Sequence, residues 1–239
     1  MKIFITNWHR THFLDRVLEN IRTRTVEPFI TVYDNGSDGW EQGLLRSWAT
    51  MGRIDDLRLG VNNVGTTFPK RVFHSIAKMA GDEFYVVTDN DFITSVDWLP
   101  RMLKLMRARP DLALLTPQFY PQFPIIEESD EEVTYCRIVG NTFKLIRTEA
   151  VDKFFTDPSR EFPTYNDDGA LAHYLQGTEW RSAFCKNIFC YNLELGTPSW
   201  GYANGQEGQD PRRGPDYPAH PAYQPLDWET LRIPLNLIS

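Results

Sequence analysis

The feature that most constrains this chain is a rhythm, in which short apolar runs alternate with amphipathic ones through the first half. Lys2 to Thr6 reads as a strand. From His12 to Arg24 the apolar residues Phe13, Leu14, Val17, Leu18 and Ile21 recur at helical spacing and form one stripe. Phe29 to Tyr33, rich in β-branched and aromatic residues, is a second strand that stops at Asp34-Asn35-Gly36-Ser37. A helix around Trp40 to Ala49 and a strand near Asp56 to Leu59 follow. Val72, Phe73, Ile76, Ala77 and Met79 mark another helix, which leads into the apolar strand Phe84-Tyr85-Val86-Val87 and its polar end Thr88-Asp89-Asn90-Asp91. Trp98 to Arg107 is helical and halts before Pro110, and Leu112 to Leu115 is the next strand. Strand and helix alternating at this pace predict βαβ units, hence an α/β protein with a mostly parallel sheet flanked by helices. Ligands of such sheets sit at the carboxyl ends of the strands. Thr6-Asn7, Asp34-Asn35-Gly36 and Asp89-Asn90-Asp91 therefore share one rim.

The second half is less regular. Glu127 to Glu132 is acidic and predicts a solvated loop, Val133 to Ile146 a strand broken at Gly140-Asn141, and Arg181 to Leu193 an extended segment. A helix begins near Asp168. Beyond Gly196 the chain turns to proline, glycine and aromatics without periodicity. Trp200, Tyr202, Tyr217, Tyr223 and Trp228 are too apolar for a solvated linker, so an arm (197–239) packed on the domain (1–196) is expected. A net charge of −7 argues against a nucleic-acid or anionic-membrane partner, since both need a basic face. Cys136, Cys185 and Cys190 follow no zinc spacing and suit a reducing compartment as small buried residues. The first residues are polar too soon for a signal peptide, and no run approaches the ~20 apolar residues that span a bilayer. A cytoplasmic protein is expected.

The rim carries the chemistry. Carboxylates two apart past a buried strand, Asp89 and Asp91, can reach one hard cation and leave positions for phosphate oxygens. An ordinary Asp-Asn turn is the competing account of that triplet. Asp34 can accept hydrogen bonds from a nucleobase or ribose, or serve a strand-to-helix turn as a cap. The first turn, Thr6-Asn7-Trp8-His9-Arg10, lacks the glycines of a dinucleotide fold, and no phosphate-cradling Gly-x-x-x-x-Gly-Lys occurs. Among the histidines, His9, His12, His74 and His173 form no metal spacing.

In that order the residues resemble the inverting, family-2-like glycosyltransferases of the GT-A fold. Ile3-Phe4-Ile5-Thr6-Asn7-Trp8-His9-Arg10 is similar to their opening strand and Asn-Arg turn. Val32 to Gly39 resembles their nucleoside-binding turn, Asn63-Val64-Gly65 the approach to their Arg-bearing helix, and Thr88 to Asp91 their Asp-x-Asp, with Trp98 at a family-like distance. The match runs from about Lys2 to Pro117. It implies a donor half (1–117) and an acceptor half (118–196).

The resemblance also implies roles. Asp34 would meet the base, with Thr6, Asn7, Arg10, Asn35 and Asn63 around the donor. Asp89 and Asn90 would meet the ribose or sugar, Lys70 or Arg71 would face the donor, and Asn141 would line the pocket near the donor sugar. Asp91 would bind Mn²⁺ or Mg²⁺, with Asp89. Where relatives carry a histidine this chain has Cys190-Tyr191-Asn192, which leaves His220 of the arm as the candidate third ligand. The acidic pair Asp167-Asp168, followed by Leu171, matches the family's base motif and puts Asp168 at the base position. The same carboxylates suit a helix start, and both roles can hold together. The implied reaction moves one sugar from a nucleotide diphosphate, a UDP-sugar, to a hydroxyl of a glycan or related acceptor, with inversion. Two rivals stand beside it: a nucleotidyltransferase making a nucleotide-sugar, which usually carries a Gly-rich basic loop that is missing here, and a catalytically silent glycan- or nucleotide-binding relative.

Overall fold

The structure is a computed structural model that describes residues 1–95, 97–118, 126–137, 139–157, 160 and 167–193. Its first half alternates as the rhythm requires: β1 (Lys2–Asn7), α1 (Thr11–Arg24), β2 (Phe29–Asp34), α2 (Gly39–Thr50), β3 (Asp56–Leu59), α3 (Thr67–Met79) and β4 (Phe84–Asp89). A short β5 (Phe92–Thr94), α4 (Trp98–Ala108) and β6 (Leu112–Gln118) complete it. The second half adds β7 (Ile126–Ser129), β8 (Val133–Cys136), β9 (Lys144–Arg147), α5 (Thr148–Thr156), α6 (Asp167–Gln176) and β10 (Arg181–Asn192).

The sheet runs in the order β3-β2-β1-β4-β9-β6-β10-β8-β7, with β5 paired to β10. β1 to β4 run parallel, while β9 lies antiparallel between β4 and β6. The sheet along that path is thus mostly parallel, with β9 and β8 reversed. Its reversal puts the first residue of β9, Lys144, opposite Val87 near the carboxyl end of β4.

Strand residues alternate between two cores. Phe4, Tyr85, Val87 and Ile146 face a cluster with Phe73 and Ala77 of α3, Val151 and Phe154 of α5, and Leu171 and Leu175 of α6. Ile3, Ile5 and Val86 are buried on the opposite side. Asn20, in the middle of α1, is buried because its amide acts like a strand neighbour: it takes the Thr94 amide hydrogen and donates to the Thr94 carbonyl, each at 3.0 Å. This fastens α1 to β5.

One expectation is corrected. The acidic segment predicted to be a loop enters the sheet as β7, and only residues 130–132 turn. β7 is an edge strand, where polar side chains face water at little loss, so composition disguises it. Glu128 there bonds Arg181 of β10 at 2.9 Å. Met1–Tyr191 forms one compact unit. The expected arm, with its aromatics and His220, lies outside the described residues. Among the described residues no helix is long and apolar enough to cross a membrane. The three cysteines are buried as expected, and burial pushes the Cys185 and Cys190 thiols up to about 12.

Candidate functional site

The carboxyl ends of β1, β2 and β4 are joined by a buried braid of side-chain amides. Asn7 donates to Asp34 Oδ1 at 2.7 Å, and its own Oδ1 accepts from Asn90 Nδ2 at 2.8 Å. Asn90 also donates to the His9 carbonyl at 3.0 Å, and Ser37 Oγ accepts from the His9 amide at 2.8 Å. The β1–α1 turn is held from both sides, and it needs to be. His9 and Arg10 are consecutive non-glycine residues at φ 56° and 58°, a left-handed conformation that costs roughly 1–2 kcal/mol each. The held turn brings the Arg10 guanidinium to 3.5 Å from Asp91.

Asp34 is fully buried, and its carboxylate takes four internal hydrogen bonds: from Asn7, from the Ser37 hydroxyl and amide, and from Gln42 Nε2 at 3.0 Å. A buried carboxylate needs such a set of donors. The structure therefore gives this predicted base-binding residue a bracing position, so a nucleoside would have to share or replace one of those bonds. Asn35 is likewise committed. It bonds Asn63, the Gly65 carbonyl and the Val64 amide, each at 2.9 Å, and so shapes the loop that leads into α3. Gly36 sits at φ 84°, where a Cβ would lie 2.5 Å from the Asn62 carbonyl carbon. Only glycine allows that approach.

Around the braid lie the remaining predicted residues. Thr6 pairs with Asp89 across β1 and β4, and its buried Oγ1 has no hydrogen-bond partner among the described residues. The alternatives at α3 separate: Lys70 is buried and lines a small cavity with Tyr85, Asn141 and Lys144, while Arg71 is exposed. Asn141 accepts the Asp89 amide hydrogen on its carbonyl at 3.1 Å. Its side-chain oxygen accepts from Lys144 Nζ at 2.9 Å, and the same ammonium meets Asp168 Oδ1 at 2.5 Å. The structure thus links Asp89, at one end of the site, to Asp168 at the start of α6. Sequence reasoning passed over Lys144, although a lysine inside the apolar run Phe143 to Ile146 is a visible anomaly.

The second omission is His9. Asp38 and Glu41 at the start of α2 join it in a group whose ligand atoms lie within 4.8 Å of one another, a grouping that the spacing of His9, His12, His74 and His173 along the chain does not reveal. In the structure His9 Nδ1 and Glu41 Oε2 share a hydrogen bond of 2.6 Å. Asp89 and Asp91 instead offer oxygen alone, the donor type that Mg²⁺ and Mn²⁺ prefer, and Asp91 already lies beside a cation, Arg10.

Solved structures share this architecture. The chain superposes on GalNAc-T7, solved with UDP, GalNAc and Mn²⁺, with a TM-score of 0.62 and 11% identity over 82% of this chain and 45% of that one. It matches S. aureus TarS 1–349 with a TM-score of 0.55 and 14% identity, over 80% of this chain and 59% of that one. For the mannosyltransferase PcManGT from Pyrobaculum calidifontis, in complex with GDP-Man and Mn²⁺, the TM-score is 0.55 and the identity 15%, over 77% and 55%. The chain spans about half the length of these enzymes (45%, 59% and 55%). No family model and no curated protein matches it. The fold is the GT-A fold of these glycosyltransferases.

Proposed function

We propose that this chain transfers a sugar from a nucleoside diphosphate, a UDP-sugar foremost, to a hydroxyl of a glycan or related acceptor, with inversion and with a divalent cation. The observation that carries this is the linked pair of carboxylate sites: Asp89 and Asp91 at the end of β4, and Asp168 across the rim, joined through Asn141 and Lys144. The fold shared with enzymes solved with UDP or GDP-Man and Mn²⁺ supports it.

In this reading Asp89 and Asp91 would hold Mn²⁺ or Mg²⁺, which when bound would offset charge on the departing diphosphate. Thr6 Oγ1, buried and without a hydrogen-bond partner among the described residues, would bond the donor. Lys70 would bring a positive charge toward the donor, and Asn141 would line the pocket near its sugar. Asp168, with a side chain 26% exposed, takes the proton of the acceptor hydroxyl. The acceptor oxygen bonds the anomeric carbon as the bond to the diphosphate oxygen breaks, so one displacement inverts that carbon.

The test is a panel of UDP- and GDP-sugars with Mn²⁺, with release of nucleoside diphosphate measured with and without glycan acceptors. Asp168→Asn should lower transfer by about 10²–10⁴-fold, the contribution typical of a general base, while donor binding persists. Transfer undiminished in that variant would remove Asp168 from the role. Transfer of a nucleotidyl group, with pyrophosphate released from a nucleoside triphosphate, would replace the reaction class.

A further inference from the structure

We propose that Lys144 is a positioning residue of the transfer reaction, fixing the base carboxylate of Asp168 relative to the donor site; this rests on the glycosyltransferase reading above. Four observations converge. Lys144 opens β9 between the apolar Phe143 and Leu145, and only 2% of its side chain is exposed. An ammonium so buried is costly unless it is paired and hydrogen-bonded, and this one meets both conditions through Asp168 and Asn141. Reversal of β9 places it opposite Val87, two residues before Asp89. Asn141, its second partner, is bonded through the backbone to Asp89 itself. One cation therefore spans from the end of β4 to the first turn of α6.

The arrangement suits positioning. Helix α6 joins the body through Leu171 and Leu175, which lie on its later turns. Its first turn, which carries the base, is anchored from the strand side by the ion pair. A carboxylate that must take a proton as a bond forms has to sit within hydrogen-bond reach of one hydroxyl, and a misplacement of about 1 Å can cost roughly 100-fold in rate. With Lys144 on Oδ1, the other oxygen, Oδ2, is the one left to receive the proton. The lysine acts through Asp168 and touches neither donor nor acceptor in this scheme.

The experiment compares wild type, Lys144→Met, Asp168→Asn and the double variant in the acceptor assay, together with donor KM and thermal melting. Lys144→Met should lower kcat by about 10–100-fold, part of what a general base contributes, and shift donor KM by less than about threefold. In the double variant kcat should be no lower than in Asp168→Asn alone, because the lysine has nothing left to position. The proposal is overturned if Lys144→Met keeps kcat within about threefold of wild type, if KM changes as much as kcat, or if the two losses multiply. Should the methionine variant not fold, Lys144→Gln is read by the same criteria. If neither folds, Lys144 is a stability residue and the proposal fails. A wild-type protein that turns over no nucleotide-sugar sinks the transfer reading itself, whereas an active wild type indifferent to Lys144 sinks only this inference.

Discussion

Single residues at the rim are held in conformations that their own chemistry opposes. Gly36 is the position where this is easiest to test. Its φ of 84° and the 2.5 Å approach of a Cβ to the Asn62 backbone mean that any side chain must push the loop away. Gly36→Ala should destabilise the protein by about 1–3 kcal/mol, the range of a strained left-handed residue, and chemical denaturation measures it. Because Asn35 bonds the same loop, the substitution should weaken donor binding as well as folding. His9 and Arg10 carry comparable strain without glycine, and the bonds from Asn90 and Ser37 keep them there.

Between elements, α3 and α5 meet over a buried polar contact. His74 is fully buried, with Nε2 3.0 Å from Asp152 Oδ1 and Nδ1 3.3 Å from the Tyr85 hydroxyl. Burial pulls its pKa below the ordinary value, outweighing the attraction of Asp152. Bonds from Lys78 and then His74 hold Asp152 below the usual carboxylate range. Both shifts have the same sign for stability. The folded state resists a proton that the unfolded chain accepts, so stability is full above roughly pH 6.5 and falls as His74 is forced to charge. Melting temperature should therefore drop between pH 7 and 5. His74→Gln should flatten that drop, leaving the part that His12, also lowered by burial, contributes. A slope unchanged by the substitution would assign acid sensitivity elsewhere. This contact was not legible in the sequence: α5 follows β9 with no turn residue between them, and Asp152 is 78 residues from His74.

For the whole molecule, the proposed donor site stands on β1, β2 and β4, so a ligand gripping their ends should stabilise the entire sheet. A nucleoside diphosphate with Mn²⁺ at 100-fold its Kd should add about 2.7 kcal/mol, visible as a rise in melting temperature. Chelation of the metal should erase the rise, and so should Asp91→Asn. A rise that survives Asp91→Asn but not His9→Ala would move the cation to the His9, Asp38 and Glu41 group.

The first half of the fold was legible because its signals are local: apolar periodicity, β-branched runs and polar strand ends each lie within a dozen residues. Those signals placed the elements from β1 to β6 within a few residues, apart from the three-residue β5. They also put Asn7, Asp34 and Asp89 on one rim, because parallel strands must bring their carboxyl ends to the same side. What the tertiary structure alone decided is how those residues are used. Asp34 turned inward because four donors on three residues, Asn7, Ser37 and Gln42, surround it. Lys70 faces the cavity rather than Arg71 because the rotation of α3 is set by what packs beneath it. The antiparallel β9 carries Lys144 to Asp168 through a pairing between segments distant in sequence. Local pattern determines elements and the rim they share; the partner of each polar side chain depends on long-range packing, which no periodicity encodes.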